Sequence, residues 1–354
     1  MRNWRRRQET KSSKSLFDMR KTRQQELFPE EYGNTTSIKP VNVASVPQRS
    51  PFRYPGGKTW FVPVFRDWIS TRYPKPNLLV EPFAGGGIIS LTAIFENLVQ
   101  ESVMVEIDED IAAVWQSVAD GNAQWLANRI LEFDLTKENL INEISKDTDD
   151  LKERAFQTIL KNRTFHGGIL AEGSGILKYG ENGKGVRSRW YPGTLARRFN
   201  ELALVANRII FLQADGLDII PKYSGRKDTV FFIDPPYTAG GKRAGKRLYR
   251  HFELDHDRLF SICESIRGDF LMTYDNADEV KAMARRHGFQ MRLIPMNNTH
   301  HATMEELVIG KELSWMDEYP MARDPRMKYD ARSIKKTCKN RRKPVAVAKK
   351  VRKQ

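Results

Sequence analysis

The chain has 354 residues, 40% of them hydrophobic, and its 59 Lys and Arg against 44 Asp and Glu give a formal charge of +15. This composition excludes a wholly disordered chain and predicts a folded core with acidic substrates or partners. The isolated Cys263 and Cys338 argue against a disulfide framework or a structural zinc site, so no metal is expected. Without an apolar run of membrane-spanning length or a secretory signal, we predict a soluble cytoplasmic protein without membrane partners.

The positive charge is concentrated at the two ends of the chain. Residues 1–50 hold 11 Lys and Arg against 5 acids, and residues 321–354 hold 14 against 2. The ends therefore carry +18 and residues 51–320 carry −3. We predict a basic, disordered arm over 1–50 and a basic tail over 314–354. These could be solubilising segments or could attach to a polyanion without sequence preference.

The first predicted elements form a βαβ unit. A strand over 77–83 leads into Ala84-Gly85-Gly86-Gly87 and a helix over 88–95. A second strand over 102–107 contains Glu106, with Asp108 directly after it, and precedes a helix over 111–118. Glycines after a first strand and an acid at the end of the second are typical of a nucleoside cofactor site. The glycine spacing does not match the dinucleotide fingerprint GxGxxG.

The next segment, 122–208, interrupts the alternation of strands and helices. Residues 123–160 have helical periodicity, and residues 162–192 are rich in Gly and Arg, which predicts loops or a hairpin. Segment 161–208 has a net charge of +6, and segment 240–250 contains five basic residues and no acid. Such local charge within a folded region is what a surface that follows phosphates requires.

Strands are predicted again over 208–212, 229–233, 269–274 and 305–310, with a helix over 277–286. Strands that alternate with helices predict an α/β fold with a mostly parallel sheet, in which ligands bind beyond the carboxyl ends of the strands. Glu106, Asp215 and Asp234 all follow or end predicted strands. We therefore expect these three acids at one edge of the sheet.

The tetrapeptide Asp234-Pro235-Pro236-Tyr237 is the most informative motif. Two prolines stiffen the turn and remove backbone donors, which leaves carbonyl oxygens and a carboxylate as acceptors beside an aromatic ring. This corner suits an exocyclic amine on a planar ring. The alternative interpretation is a rigid turn that ends a buried strand.

Three motifs in order carry a resemblance to a known family: Tyr54-Pro55-Gly56-Gly57-Lys58, Pro82-Phe83-Ala84-Gly85-Gly86-Gly87 and Asp234-Pro235-Pro236-Tyr237. Together with Asp255-His256, Thr273-Tyr274 and Glu306-Leu307-Val308-Ile309, they resemble the Dam-type (D12 class) DNA adenine N6-methyltransferases over about residues 51–313. The resemblance implies a Rossmann-like class I methyltransferase fold. The catalytic domain would comprise 51–121 and 209–313, with an inserted, mainly helical target-recognition domain over 122–208.

The resemblance also implies the cofactor S-adenosyl-L-methionine. Its site would be formed by Tyr54, Lys58, Phe83, Gly85, Gly87, Glu106, Asp108, Asp215 and Asp234. Glu106 would hold the ribose hydroxyls, with Asp108 as the rival. The catalytic residues would be Asp234, Pro235, Pro236 and Tyr237, which would take the N6 amine of a flipped-out adenine.

Double-stranded DNA is the expected partner. The predicted DNA-binding residues are Arg163, Lys184, Arg187, Arg189, Lys242, Arg243, Lys246 and Arg247. The enzyme could belong to a restriction-modification pair or act as an orphan, and a monomer is compatible with the sequence. Two alternatives stay open: methylation of adenine in RNA, and a DNA-binding protein with the same fold that no longer turns over.

Overall fold

The structure is a computed structural model that describes residues 43–53, 56–171, 173–180, 183–236, 251, 253–297 and 303–318. Most of the predicted basic arm and tail therefore lies outside the described residues, as does most of the basic segment 240–250. The described residues belong to one compact unit.

Seven strands form one sheet. They are β1 (Leu78–Glu81), β2 (Glu101–Glu106), β3 (Ile209–Gln213), β4 (Thr229–Ile233), β5 (Asp269–Asp275), β6 (Gln290–Asn297) and β7 (Thr303–Gly310). Their order across the sheet is β3-β2-β1-β4-β5-β7-β6. The first five strands are parallel, and β7 runs antiparallel to both of its neighbours. This arrangement confirms the predicted Rossmann-like α/β fold.

Helices connect these strands. They are α1 (Val62–Ser70), α2 (Ile88–Phe95), α3 (Glu109–Ala119), α4 (Ala123–Glu132), α5 (Lys137–Ile144), α6 (Leu151–Thr164), α7 (Pro192–Ala203), α8 (Gly216–Ser224), α9 (His256–Glu264), α10 (Asp278–Arg286) and the short α11 (Trp315–Glu318). None of the helices in the described part of the chain combines the length and apolar content that a bilayer crossing requires.

The sheet is buried on both faces because successive side chains of a strand point in opposite directions. On one face, Val80 and the alternate residues of its neighbours pack against α8, α9 and α10. On the other face, Leu79 and Phe232 pack against α1 and α2. A third cluster joins α3 and the helices α4 to α7 to Met104 and Phe211 near one edge of the sheet. The sheet is thus the middle one of three layers, with helices on both of its faces.

The part of segment 122–208 with helical periodicity, 123–160, is largely helical in the structure. The chain forms three helices there, because Thr136 and Asp150 cap α5 and α6 by accepting bonds from backbone N–H groups. These helices share the third apolar cluster with α3, so their cores are continuous with the α/β layers. That 122–208 forms a target-recognition domain stays a prediction.

Candidate active site

The predicted acids Glu106, Asp215 and Asp234 lie at one edge of the sheet, and Glu81, which was not predicted, lies there as well. Glu81 and Glu106 are the last residues of β1 and β2, Asp234 directly follows β4, and Asp215 follows β3 by two residues. β2 and β3 lie on one side of β1 and β4 lies on the other, so β1 and β4 border the point at which the strand order reverses. In open α/β sheets this is the crevice in which ligands bind.

The glycine turn after β1 has the backbone form that only glycine adopts without strain. Gly85 and Gly87 have φ values of +46° and +63°. A Cβ on Gly87 would lie 2.4 Å from the terminal methyl of Met104 and 3.0 Å from the Trp115 ring. The Trp115 indole also donates to the Gly85 carbonyl at 2.8 Å, which ties the turn to α3. Phe83 is half-buried at the start of the turn.

Glu106 holds the glycine turn and the end of β2 together. Its carboxylate accepts from the backbone N–H of Gly85 at 3.0 Å, and from those of Ile107 and Asp108 at 2.9 Å. Burial raises the pKa of Glu106 to about 7, against the lowering effect of these bonds. The residue retains 9% exposure at the crevice edge.

Asp108 and Asp215, in contrast, cap helices. Asp108 accepts from the N–H groups of Asp110 and Ile111 at the start of α3. Asp215 accepts from the N–H of Leu217 at 2.8 Å at the start of α8. Both rivals for a ribose thus accept backbone bonds, Glu106 through both carboxylate oxygens and Asp108 through one, and the assignment of the ribose to Glu106 stays a prediction.

Lys58 lies against the corner after β4 that the sequence predicted to be catalytic. Its ammonium group is 3.1 Å from the Asp234 carboxylate and 2.8 Å from the Glu306 carboxylate. The residue is only 4% exposed. Burial disfavours the charged ammonium, but the two carboxylates outweigh it and hold the pKa of Lys58 above its ordinary value. Lys58, predicted to close the cofactor site, therefore contacts the predicted catalytic carboxylate directly.

A second donor fixes the same carboxylate. The Thr273 hydroxyl donates to Asp234 Oδ1 at 2.8 Å, the oxygen that also contacts Lys58. Thr273 is fully buried in β5. The following Pro235 is buried and Pro236 half-buried, while the predicted Tyr237 and Tyr54 lie outside the described residues. Lys58 and Thr273 therefore orient the Asp234 carboxylate.

Glu81 is a further acid in this region. It is 3% exposed, and it accepts from the backbone N–H of Ser90 at 3.0 Å. Burial raises the pKa of Glu81 to about 8, Ser90 opposes this, and the charge of Asp234 adds to it. Glu81 is thus held in its neutral form at neutral pH, next to a charged cluster.

Three of these residues, Glu306, Glu81 and Thr273, carried no predicted role, and Lys58 was predicted to contact the cofactor, not two acids. Glu306 lies inside the apolar strand β7, and a charge in such a strand requires a partner. Lys58, in an otherwise buried segment, required a partner of opposite charge as well. The sequence at these two positions therefore indicated a buried ion pair. Glu81 similarly ends a continuous apolar strand, whereas Thr273 offered no signal beyond its place in a family motif.

The crevice edge fits the implied cofactor. Glu106 offers a carboxylate for ribose hydroxyls, and the adjacent Ile107 side chain is 39% exposed, as an apolar surface for a purine would be. The carboxylate of Asp215 can accept from the adenine amine, and that of Asp234 complements a cationic sulfonium. Within the described ranges, the side chains contain no cluster of three or more His, Cys, Asp or Glu that could hold a metal ion.

The predicted DNA-binding residues occupy different environments. Lys184 and Arg187 are exposed, although Arg187 also donates to the Leu135 carbonyl at 2.6 Å and pairs with Asp134. Arg189 is half-buried. Arg163 differs from the prediction: it is 6% exposed and donates to a backbone carbonyl, so it cannot act as a surface cation in this structure. Lys242, Arg243, Lys246 and Arg247 lie outside the described residues.

Comparisons with known proteins identify the family of the chain. The family model described as D12 class N6 adenine-specific DNA methyltransferase matches residues 54–292. A search of curated proteins found no match. Among solved structures, the rRNA methyltransferase aviRa from Streptomyces viridochromogenes is similar at 12% identity over 77% of this chain and 94% of that chain, with a TM-score of 0.36. Precorrin-6y C5,15-methyltransferase from Geobacter metallireducens is similar at 10% identity over 70% and 85%, with a TM-score of 0.27.

Proposed function

Because the chain belongs to the D12 class of N6 adenine-specific DNA methyltransferases, we propose that it transfers a methyl group from S-adenosyl-L-methionine to the N6 amine of a flipped-out adenine at a specific site in duplex DNA. The observation that carries the proposal is the corner after β4. There, the Asp234 carboxylate is fixed by Lys58 and Thr273 at the ligand-binding crevice of the sheet.

The cofactor would bind along the ends of β1, β2 and β3. Gly85 and Gly87 would let the backbone approach its methionine part, and Glu106 would accept from the ribose hydroxyls. Asp215 would lie near the adenine amine. When bound, the cofactor supplies the electrophilic methyl group on a sulfonium.

The target adenine would bind beside this corner. Its N6 amine would donate to the Asp234 carboxylate and to the Pro235 carbonyl, while the ring stacks on Tyr237. These acceptors orient the amine so that its lone pair faces the methyl group. Most of the rate enhancement would come from this positioning, and Thr273 and Lys58 support it because they fix Asp234.

The charge of the corner suits this reaction. Lys58 contributes one positive charge against the carboxylates of Asp234 and Glu306, which leaves one net negative charge in a buried cluster. The N6 amine would gain positive charge when it takes the methyl group and would then release one proton. The fixed carboxylate of Asp234 would stabilise that charge without rearranging.

Transfer of a labelled methyl group tests the proposal. We expect label from S-adenosyl-L-methionine in adenine of duplex DNA with the wild-type protein, and a loss of at least about 100-fold with Asp234→Ala, because the amine loses its charged acceptor. Asp257→Ala, which removes an exposed carboxylate on α9, is the matched control and should keep wild-type activity. Sequencing the methylated product identifies the site that is read.

Three outcomes would contradict the proposal. Equal labelling by Asp234→Ala would exclude the corner after β4 as the catalytic site. Labelling of RNA but not of duplex DNA would assign the same chemistry to the RNA substrate that the sequence left open. Failure of the wild-type protein to label either nucleic acid would favour the inactive DNA-binding alternative.

A further inference from the structure

The chain that leads into the Tyr54–Lys58 segment is bound to α6 by Asn162. The Asn162 side chain accepts from the Arg53 backbone N–H at 2.9 Å and donates to the Arg53 carbonyl at 3.0 Å. It also donates to the Gly168 carbonyl at 2.8 Å. Asn162 is 1% exposed, so both ends of its amide are satisfied inside the protein. One side chain thus fixes both backbone polar groups of Arg53.

Two arginines hold the residues just before Arg53. Arg163, the neighbour of Asn162, donates to the Pro51 carbonyl, and Arg198 of α7 donates to the Ser50 carbonyl at 2.8 Å. We name Asn162, Arg163 and Arg198 the clamp. Its three side chains come from the segment predicted to read DNA, and they bind a segment that immediately precedes a predicted cofactor motif.

Gly168 is the closest backbone contact of the clamp. Its φ is +74°, and a Cβ there would lie 2.6 Å from the Arg53 carbonyl oxygen and 3.2 Å from the Asn162 carbonyl oxygen. No side chain fits at this position unless the backbone of Arg53 moves. The loop that follows α6 is therefore pressed against the same residue that Asn162 holds.

The clamp is costly in electrostatic terms. Burial lowers the pKa of Arg163 to about 9, and the charges of Arg198 and Arg53 add to the effect. An apolar residue of similar size would pack there without burying a charge. What the guanidinium adds is a directed bond to one backbone carbonyl, which indicates that the position of residues 50–53 matters, not merely their burial.

We propose that Asn162, Arg163 and Arg198 are positioning residues, which hold residues 50–53 so that Lys58 lies against Asp234 at the predicted cofactor site. This inference rests on the proposed function. Lys58 follows Arg53 by only five residues, so a displaced Arg53 displaces the ammonium group that fixes the catalytic carboxylate. The clamp would then make cofactor binding depend on the DNA-reading segment.

Two matched substitutions at left-handed glycines test this in the full chain. Gly168→Ala pushes the Arg53 backbone, whereas Gly173→Ala has the same backbone strain, at φ +80°, with none of the described residues within 4 Å of the new Cβ. We expect Gly168→Ala to weaken S-adenosyl-L-methionine binding and to lower kcat, each by about 10-fold or more, with an unchanged dissociation constant for duplex DNA. Gly173→Ala should change neither.

A second pair tests the clamp side chains. Arg198→Ala removes the bond to Ser50, and Arg198→Lys keeps a donor and should restore part of the loss. Arg197→Ala, at the exposed neighbouring position of α7, is the control for lost charge. A purely structural role would lower the melting temperature of Arg198→Ala but leave its cofactor dissociation constant and kcat unchanged well below that temperature, which would overturn the proposal.

Equilibrium dialysis with labelled cofactor distinguishes a failure of the proposed function from a failure of the clamp proposal, because it needs no turnover. If the wild-type protein binds no S-adenosyl-L-methionine, the proposed function fails. If the wild-type protein binds it and the Gly168→Ala and Arg198→Ala variants bind it equally well, the function stands and the clamp is wrong.

Discussion

A single side chain, Lys58, joins two acids of the candidate site. Its ammonium group lies between the carboxylates of Asp234 and Glu306, and all three groups are largely shielded from water. A buried cation between two acids is costly to remove, because each acid is then left without compensation. Lys58 therefore supports the fold and orients the corner after β4 at the same time.

We expect Lys58→Met to lower the free energy of unfolding by about 3–5 kcal/mol and to reduce kcat strongly, because two buried carboxylates lose their shared partner. Glu306→Gln should lower the free energy of unfolding and kcat less, since Lys58 still pairs with Asp234. Denaturant unfolding measures the first effect and single-turnover methylation the second. The double variant Lys58→Met with Glu306→Gln should recover part of the lost stability, and additive losses would contradict the pairing.

Glu81 predicts how stability depends on pH. Its folded pKa of about 8 exceeds the ordinary value of 4.5, so the folded state holds a proton that the unfolded chain releases. This contribution is complete below about pH 4.5 and is lost as pH rises towards about 8. Glu81→Gln keeps a neutral side chain at all pH values. We expect it to be more stable than the wild type at pH 8.5, and the difference to shrink towards pH 5.

Chemical denaturation at several pH values checks this expectation. Glu101→Gln, at the exposed first residue of the adjacent β2, is the matched control and should follow the wild-type pH profile. An unchanged profile for Glu81→Gln would show that the carboxyl of Glu81 does not bind its proton in the folded state.

The strand ends were the part of the fold that sequence predicted best. Apolar runs followed by acids or glycines gave β1, β2, β4 and β5 to within two residues, because such strands are buried on both faces. β6 was not predicted. It is an edge strand with Pro295 inside it and a partner only in β7, so it has neither a continuous apolar run nor a clear alternation.

The site was predictable to a similar degree. The acids at the strand ends follow from local sequence, because parallel strands bring their carboxyl ends together. The contacts of Lys58 with Glu306 and of Asn162 with Arg53 do not, because they join positions far apart in the chain. The burial of Arg163 was missed for the same reason. Its charge predicted an exposed side chain, and only the folded structure shows that it donates to the Pro51 carbonyl.

Substitutions at the start of α3 distinguish between Glu106 and Asp108, the two acids proposed to bind the ribose. Asp108→Ala removes the helix cap and should cost about 0.5–2 kcal/mol of stability, whereas Asp108→Asn keeps the cap. Both should bind S-adenosyl-L-methionine as the wild type does. Glu106→Gln should weaken cofactor binding by about 10-fold or more, because a charged acceptor for the ribose is lost. Calorimetry measures both quantities, and weak cofactor binding by Asp108→Asn would reverse the assignment.

At the scale of the whole molecule, the charge divides the chain into parts with different tasks. The excess of +18 lies in residues 1–50 and 321–354, and the central residues carry −3. Attraction to phosphates that depends on net charge is independent of sequence and sensitive to salt. Sequence-specific contacts would then fall to the central part, where Lys184 and Arg187 are exposed.

We expect removal of residues 321–354 to weaken binding to any duplex by about 10-fold or more at low salt and to flatten its salt dependence, because fewer counterions are released. The methylated sequence should not change. Fluorescence anisotropy over a salt series measures the first effect. A full-length variant with the Lys and Arg of this tail replaced by Gln should behave as the truncation does, and a changed site preference would contradict the division.

The late position of β7 in the chain bears on when the candidate site is completed during synthesis. Because β7 runs antiparallel to β5, Glu306 near its beginning reaches the same edge as the carboxyl ends of the parallel strands. A ribosome thus makes Lys58 early and its partner last among the described strands. Domains generally fold as units during synthesis, so the corner after β4 is completed only when this final hairpin joins the sheet. A nascent chain therefore carries an unfinished active site until the sheet itself is finished.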